Sequence, residues 1–295
     1  MGSRGKRGMA NPNPDPVNRL RGARLLLIVG MIPVVVVVVG GLGSTILQSI
    51  GLMPLVGPVR LSVDAYVSTA PALLSSIGTS LWIAAASTAV AIVLGATTAF
   101  VVVSGGRLGR IVGAIGAVTV SVPHLIGAAT MGLLLADSGV LPRLLGIDAT
   151  AWPALVAGPW WVAVIAEYAW KESAFIALVV AGTLLTRVAQ FDEPAAMLGA
   201  SRGARLRMVF LPLAAPALIV SATIVFIYTL GSYEVAWLLG RTYPEPLAVM
   251  AIRLFNDVSL SSRTESAAIA VLTVAISLAA VAVAAVAMRR SAVWR

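Results

Sequence analysis

The chain has 295 residues, 59% of them hydrophobic and only 11% charged, a composition that excludes both an ordinary soluble domain and a disordered chain. Its 21 Lys and Arg outweigh 12 Asp and Glu, a balance that suits either nucleic acid or an anionic membrane surface until topology is considered. With no Cys and one His, the sequence offers no disulfide framework, no thiol nucleophile and no His-based metal site.

The expected fold is all-α, a polytopic membrane protein. Residues 1–24 predict a flexible basic tail ending at Arg19, Arg21 and Arg24. Lys6 stands where a myristoylation signal needs Ser or Thr, so no lipid anchor is expected. Leu25 to about Leu47, with consecutive valines from Val34 to Val39, is long enough to span a bilayer and too long for a typical signal-peptide core. A Gly- and Pro-bearing loop from Gln48 to Pro71 leads to a second span, Ala72 to Val103, and a basic turn follows at Ser104 to Arg110. The third span, Ile111 to Ala136, is rich in Gly and Ala and contains Pro123 and His124. His124 either lines a path or is hydrogen-bonded between helices near a carbonyl that the proline frees.

After a loop from Asp137 to Trp152, Gly158 and Pro159 open a fourth span running to about Leu185. This span carries Glu167, Lys171 and Glu172, and charges inside a membrane face protein, water or one another. Glu167 and Lys171 are four apart, the spacing of a pair on one helix face. Two readings stay open: a self-neutralising pair that sets packing, or the polar lining of a translocation route. The fifth span, about Pro216 to Leu239, contains Gly231 and Ser232, which permit a kink, and then Tyr233 and Glu234. Glu234 either meets a cationic solute or docking protein, or snorkels to the interface or pairs across helices. Leu247, Met250, Ala251, Leu254 and Phe255 form an amphipathic face expected to lie along the membrane surface. Ser262 and Glu265 form a capping-box signature for a sixth span that continues to Met288 and ends at Arg289 and Arg290, leaving a tail at residues 291–295.

Six spans with a cytoplasmic amino terminus put fifteen Lys and Arg inside and leave Arg60, Arg143, Arg241, Arg253 and Arg263 outside, which satisfies the positive-inside rule. The basic charge therefore follows from topology. It requires no nucleic acid, and the tail remains free to touch anionic lipid.

The segment at residues 186–212, between spans four and five, falls in the cytoplasm. Asp192, Glu193 and Pro194 predict a helix start, Gly199 a break, and Arg202, Arg205 and Arg207 a second short helical turn. Glu193, Ala195, Gly199, Leu211 and Pro212 fall in register with an E-A-A, three residues, G, nine residues, I, one residue, L-P pattern, with Val209 at the isoleucine and Pro194 at the first alanine. This pattern resembles the cytoplasmic coupling loop of permease subunits of binding-protein-dependent type I ABC importers, and the resemblance extends more weakly from about Ser75 to Val286. It implies a permease domain at residues 25–290 that passes a small hydrophilic solute through a bacterial cell membrane. It also implies coupling to ATPase subunits through Glu193, Ala195, Gly199, Arg202, Arg205, Leu211 and Pro212. The implied partners are a second permease subunit, identical or related, two ATPases and an extracytoplasmic solute-binding protein. No phosphate-binding loop occurs in the sequence, so ATP and Mg belong to the partner subunits and this chain is not itself an enzyme.

GSYEVAWLLG followed by RTYPEPLAV is most similar to the polyamine, iron and thiamine branch, which implies a polyamine-like cation, with sugar as the competing substrate. The translocation path is expected among Glu167, Lys171, Glu172, Tyr233, Glu234 and His124. From other classes, an ion-gradient-driven secondary transporter would use the intramembrane charges for coupling, and a membrane scaffold would use the small-residue helices for association only.

Overall fold

The computed structural model describes residues 16–290, except for the side chains of 16–26, 28, 186–193, 196 and 290. The chain termini at 1–15 and 291–295, both expected to be tails, lie outside the described residues. Eleven α-helices and no strands form the described chain. Five helical stretches are long and apolar enough to cross a membrane: Val29–Ser49, Asp64–Val103, His124–Leu145, Arg202–Gly231 and Ser262–Arg289. The helix holding Glu167, Lys171 and Glu172 is not among these five.

Helix α1 (Pro16–Ser49) starts earlier than expected, because residues 16–24, read as part of the tail, supply Leu, Arg and Ala with no effective breaker. The valines from Val34 to Val39 are all exposed, as suits a helix facing lipid or another subunit. Helix α2 (Asp64–Val103) is followed by Gly105 and Gly106, both at positive φ, which turn the chain into α3 (Gly106–Ser121).

The expected third span is broken in two. Val122 precedes a proline and adopts an extended conformation (φ −70°, ψ 126°), so α3 stops and α4 (His124–Leu135) begins beyond Pro123. Helix α5 (Val140–Leu145) closes on Gly146 in the left-handed conformation.

Helix α6 (Val162–Met197) is one 36-residue helix. It runs through Asp192, Glu193 and Pro194, where a helix start was expected. Pro194 lies within one turn of the helix end, so it costs α6 only the one bond its N–H would have made to the Gln190 carbonyl, and the helix stops three residues later. Gly199 (φ +80°) then reverses the chain, as its position predicts. Ser201 caps α7 (Arg202–Arg205), its hydroxyl accepting from the Ala204 N–H at 3.3 Å. A π-helical turn, Leu206–Phe210, joins α7 to α8 (Leu211–Gly231). Ser232 is extended and ends α8, and α9 (Glu234–Leu239) follows, so the expected fifth span is also divided at its Gly-Ser step.

Helix α10 (Leu247–Phe255) buries Leu247, Met250 and Leu254 against Ile269 of α11 (Ser262–Arg290), with Leu73 and Ile77 of α2 packed alongside. Its apolar face thus meets neighbouring helices, with Phe255 left exposed. Glu265, expected to cap α11, accepts instead from the Ser68 hydroxyl of α2 at 2.8 Å.

The centre of the fold is the α2–α6 pairing, the most extensive in the chain. Its seam uses small residues because close backbone approach, rather than hydrophobic expulsion, drives helix association in lipid. At Gly95 a Cβ would lie 2.7 Å from Ile176 Cβ and 2.9 Å from the Ser173 carbonyl oxygen. A Gly95→Leu substitution must push α2 off α6 and is expected to cost about 3 kcal/mol or more. The check is the melting temperature of the purified transporter, with Gly182→Ala, which meets open space, as the control.

Candidate functional site: a buried charge cluster, an open cavity and an exposed turn

The break between α3 and α4 leaves the last carbonyls of α3 without helical donors. Lys171, projecting from α6, supplies them: its ammonium donates to the carbonyls of Thr119 (2.7 Å), Val120 (3.3 Å) and Val122. A cation at a helix carboxyl terminus also complements the helix dipole. The Glu167–Lys171 pair, one of the two readings that the spacing left open, therefore does not form. Among the described residues both glutamates turn to His124, whose Nδ1 lies 3.3 Å from Glu167 Oε1 and whose Nε2 lies 3.3 Å from Glu172 Oε1. The Pro-freed carbonyls were the competitor that the spacing on α6 alone did not reveal.

The cluster is graded in exposure. The Glu167 side chain is fully buried, Glu172 is 10% exposed and His124 is 21% exposed. Gly127, one turn along α4, is where the helix backbone approaches the carboxylate; a Cβ there would lie 2.7 Å from Glu167 Oε1. Two tyrosines complete the surroundings. Tyr228 of α8 lies 5.0 Å from the His124 ring, Tyr168 of α6 lies 6.1 Å from it, and the two tyrosine rings meet edge to face at 6.5 Å. Neither tyrosine was singled out from sequence, where aromatics inside apolar runs read as packing.

Tyr233 and Glu234 are not in this cluster. They lie beyond the break after α8 and line an open cavity of ≈ 880 Å³ between α8, α9, α10 and α11, together with Tyr228, Ser232, Thr273 and Ser277. Among the described residues Glu234 is the only charged one lining it. Tyr228 thus borders both the cavity and the cluster. On the adjoining face a cleft of ≈ 690 Å³ is flanked by Arg253, which grips Glu245 through two nitrogens (2.6 and 3.0 Å). That hydrogen-bonded carboxylate pushes the Arg253 guanidinium further above its ordinary range.

The turn between α6 and α8 gathers the residues read from the motif. Glu193 sits in the α6 backbone with its side chain outside the described residues, Ala195 is half-buried, and Gly199 and Arg202 are exposed. Arg205 is half-buried, while Leu211 and Pro212 open α8 on its exposed side. Met197 and Leu198, at 89% and 88% exposure, make the tip apolar. Behind it Phe210, 1% exposed, inserts into a core shared by α2, α6 and α8, edge-on to Phe100 at 5.3 Å. The π turn that carries Phe210 is thereby pinned.

Comparison with known proteins places this architecture. The chain is similar to a bacterial ABC transporter involved in import of the acidic polysaccharide alginate, with TM-score 0.72, 16% identity and coverage of 94% of this chain and 100% of that one. A bacterial alginate ABC transporter in complex with an alginate pentasaccharide-bound periplasmic protein matches with TM-score 0.69 and 18% identity, over 90% of this chain and 92% of that one. An amino acid ABC transporter with histidines matches with TM-score 0.56 and 17% identity, over 78% and 99%. At such identities the likeness is one of fold. No curated protein sequence matches the chain significantly. Residues 91–292 match the family described as binding-protein-dependent transport system inner membrane component, and the match includes the turn and the charge cluster. The chain belongs to that family: it is an inner-membrane, multi-pass permease subunit of a type I ABC importer, served by a binding protein and by ATPase subunits that hydrolyse ATP in its place.

Proposed function

We propose that this permease passes a small cationic solute, of the polyamine type, from an extracytoplasmic binding protein into the cytoplasm. The observation that carries the reading is the cavity between α8 and α11, in which Glu234 is the single charge among the described residues and Tyr228 and Tyr233 supply aromatic faces. A carboxylate beside aromatic rings attracts an ammonium group electrostatically and repels an anion. In this reading α6 is the sixth span, despite its charges, because those charges are satisfied by α3 and α4. Both termini are cytoplasmic, which puts the 186–212 turn on the side where ATP and Mg bind the partner subunits. The turn docks there, with Met197 and Leu198 seated in a partner groove and Arg202 and Arg205 fixing register by charge.

The test is ATP-driven uptake by the complete transporter in liposomes, with radiolabelled putrescine and maltose as probes. Putrescine uptake that Glu234→Gln weakens, with KM raised about tenfold and assembly unchanged, is the expected result, because one charge-assisted hydrogen bond is lost. Maltose uptake without putrescine uptake replaces the cation by a sugar.

A further inference from the structure

Two carboxylates, one ammonium and one imidazole make up the buried cluster. Lys171 is committed to the carbonyls of Thr119 and Val120 in α3 and of Val122 just beyond it, so the carboxylates of Glu167 and Glu172 are left to His124. A carboxylate oxygen at each ring nitrogen is satisfied by an imidazolium, which donates from both, and the four groups then sum to zero charge. Net neutrality is what a low-dielectric interior demands of buried ions. The acceptors nevertheless outnumber the donors: Glu167 Oε2 is buried without a hydrogen-bond partner. A ring nitrogen offers one N–H to each carboxylate, whereas a primary ammonium offers three from one point.

The setting favours a cation at the place where the ring sits. Tyr168 and Tyr228 stand side by side against it, and Tyr228 is shared with the cavity that holds Glu234. His124 is the most exposed member of the cluster and the first residue of α4, directly after the Val122–Pro123 break. A rotation at that break carries the ring away with α4 without breaking a helix, while Lys171 keeps α3 on α6.

We propose that Glu167 and Glu172 form an inner subsite for a compact ammonium group, and that the His124 ring is a built-in stand-in for it, held there until a solute amine arriving past Tyr228 takes its place. The exchange replaces one monovalent cation by another, so the cluster keeps its charge, and the spare acceptor on Glu167 gains a donor. The subsite rests on the cationic-solute reading above and adds a second station to it. Its occupation also reports to α4, because the ring cannot hold both carboxylates while the amine does.

The experiment uses the complete transporter in lipid nanodiscs. His124→Ala leaves the carboxylates facing Lys171 alone and is expected to lower the melting temperature. Millimolar imidazole or methylammonium, at about pH 6 where both are cations, is expected to restore it, while maltose and the bulkier tetramethylammonium at equal ionic strength do not. His124→Ala combined with Glu172→Gln is expected to lose that rescue. In putrescine uptake, Glu172→Gln raises KM about tenfold. His124→Asn, which removes the competing cation but keeps a polar side chain, lowers it several-fold.

Putrescine uptake with no rescue by either cation overturns the inner subsite and leaves the cationic-solute reading standing. Rescue in a transporter that takes up no amine overturns both that reading and the subsite's role in transport. If His124→Ala does not assemble, the opposite KM shifts of His124→Asn and Glu172→Gln carry the test, and parallel shifts overturn the proposal.

Discussion

Replacing Lys171 by Met is expected to destabilise the transporter by about 3–5 kcal/mol. The substitution conserves volume, so packing is not the cause. It removes the donor shared by three carbonyls at the break after α3, and it leaves the two α6 carboxylates opposite a single imidazole. Lys171→Arg keeps the charge but brings a wider head into a site nearly closed to solvent, and is expected to recover only part of the loss. The amount of assembled complex in membranes and its thermal unfolding read both changes. A Lys171→Met complex as stable as wild type would mean that the ends of α3 and α4 are held by lipid or by another subunit.

Phe210→Ala is expected to produce the second large loss, of about 3–5 kcal/mol locally, since it empties the fully buried site against Phe100. Its functional signature differs from that of Lys171→Met. Phe210 anchors the short arginine turn to the core shared by α2, α6 and α8, so without it the turn can still bind a partner but no longer moves those helices with it. Retained ATPase binding and turnover with uptake reduced at least tenfold is the expected pattern, measured on the same liposomes with and without binding protein. Loss of ATPase binding itself would show that the ring shapes the docking surface and does not merely transmit its movement.

The helical class and most of the spans were legible because long apolar runs admit few structures in a bilayer. The motif from Glu193 to Pro212 was legible as a fixed spacing, and the family match agrees with what it implied. Local signals failed where distant partners decided. Asp192 to Pro194 carry the marks of a helix start, yet α6 arrives already formed and passes through them. Pro123 sits in a mostly apolar stretch, and nothing in that stretch says whether the proline kinks one helix or ends it. Once the helix ends there, the freed carbonyls claim Lys171, and the i, i+4 pairing with Glu167 gives way to contacts across three helices. Tyr168 and Tyr228 carried no signal at all, since their role depends on His124 lying within reach of both rings.

The length of α6 gives these separate observations a common mechanical basis. From Glu172 to Met197 it runs about 37 Å at the usual rise per residue, with no non-helical joint between the carboxylates and the exposed tip. It is one continuous helix, interrupted in its hydrogen bonding only by Pro194 near the tip, and so can act as a lever. A tilt imposed at the tip shifts the carboxylates relative to α4, and a change in what the carboxylates hold alters how readily the tip tilts. One stiff rod then lets each end sense the state of the other, so that no relay of intermediate side chains is needed.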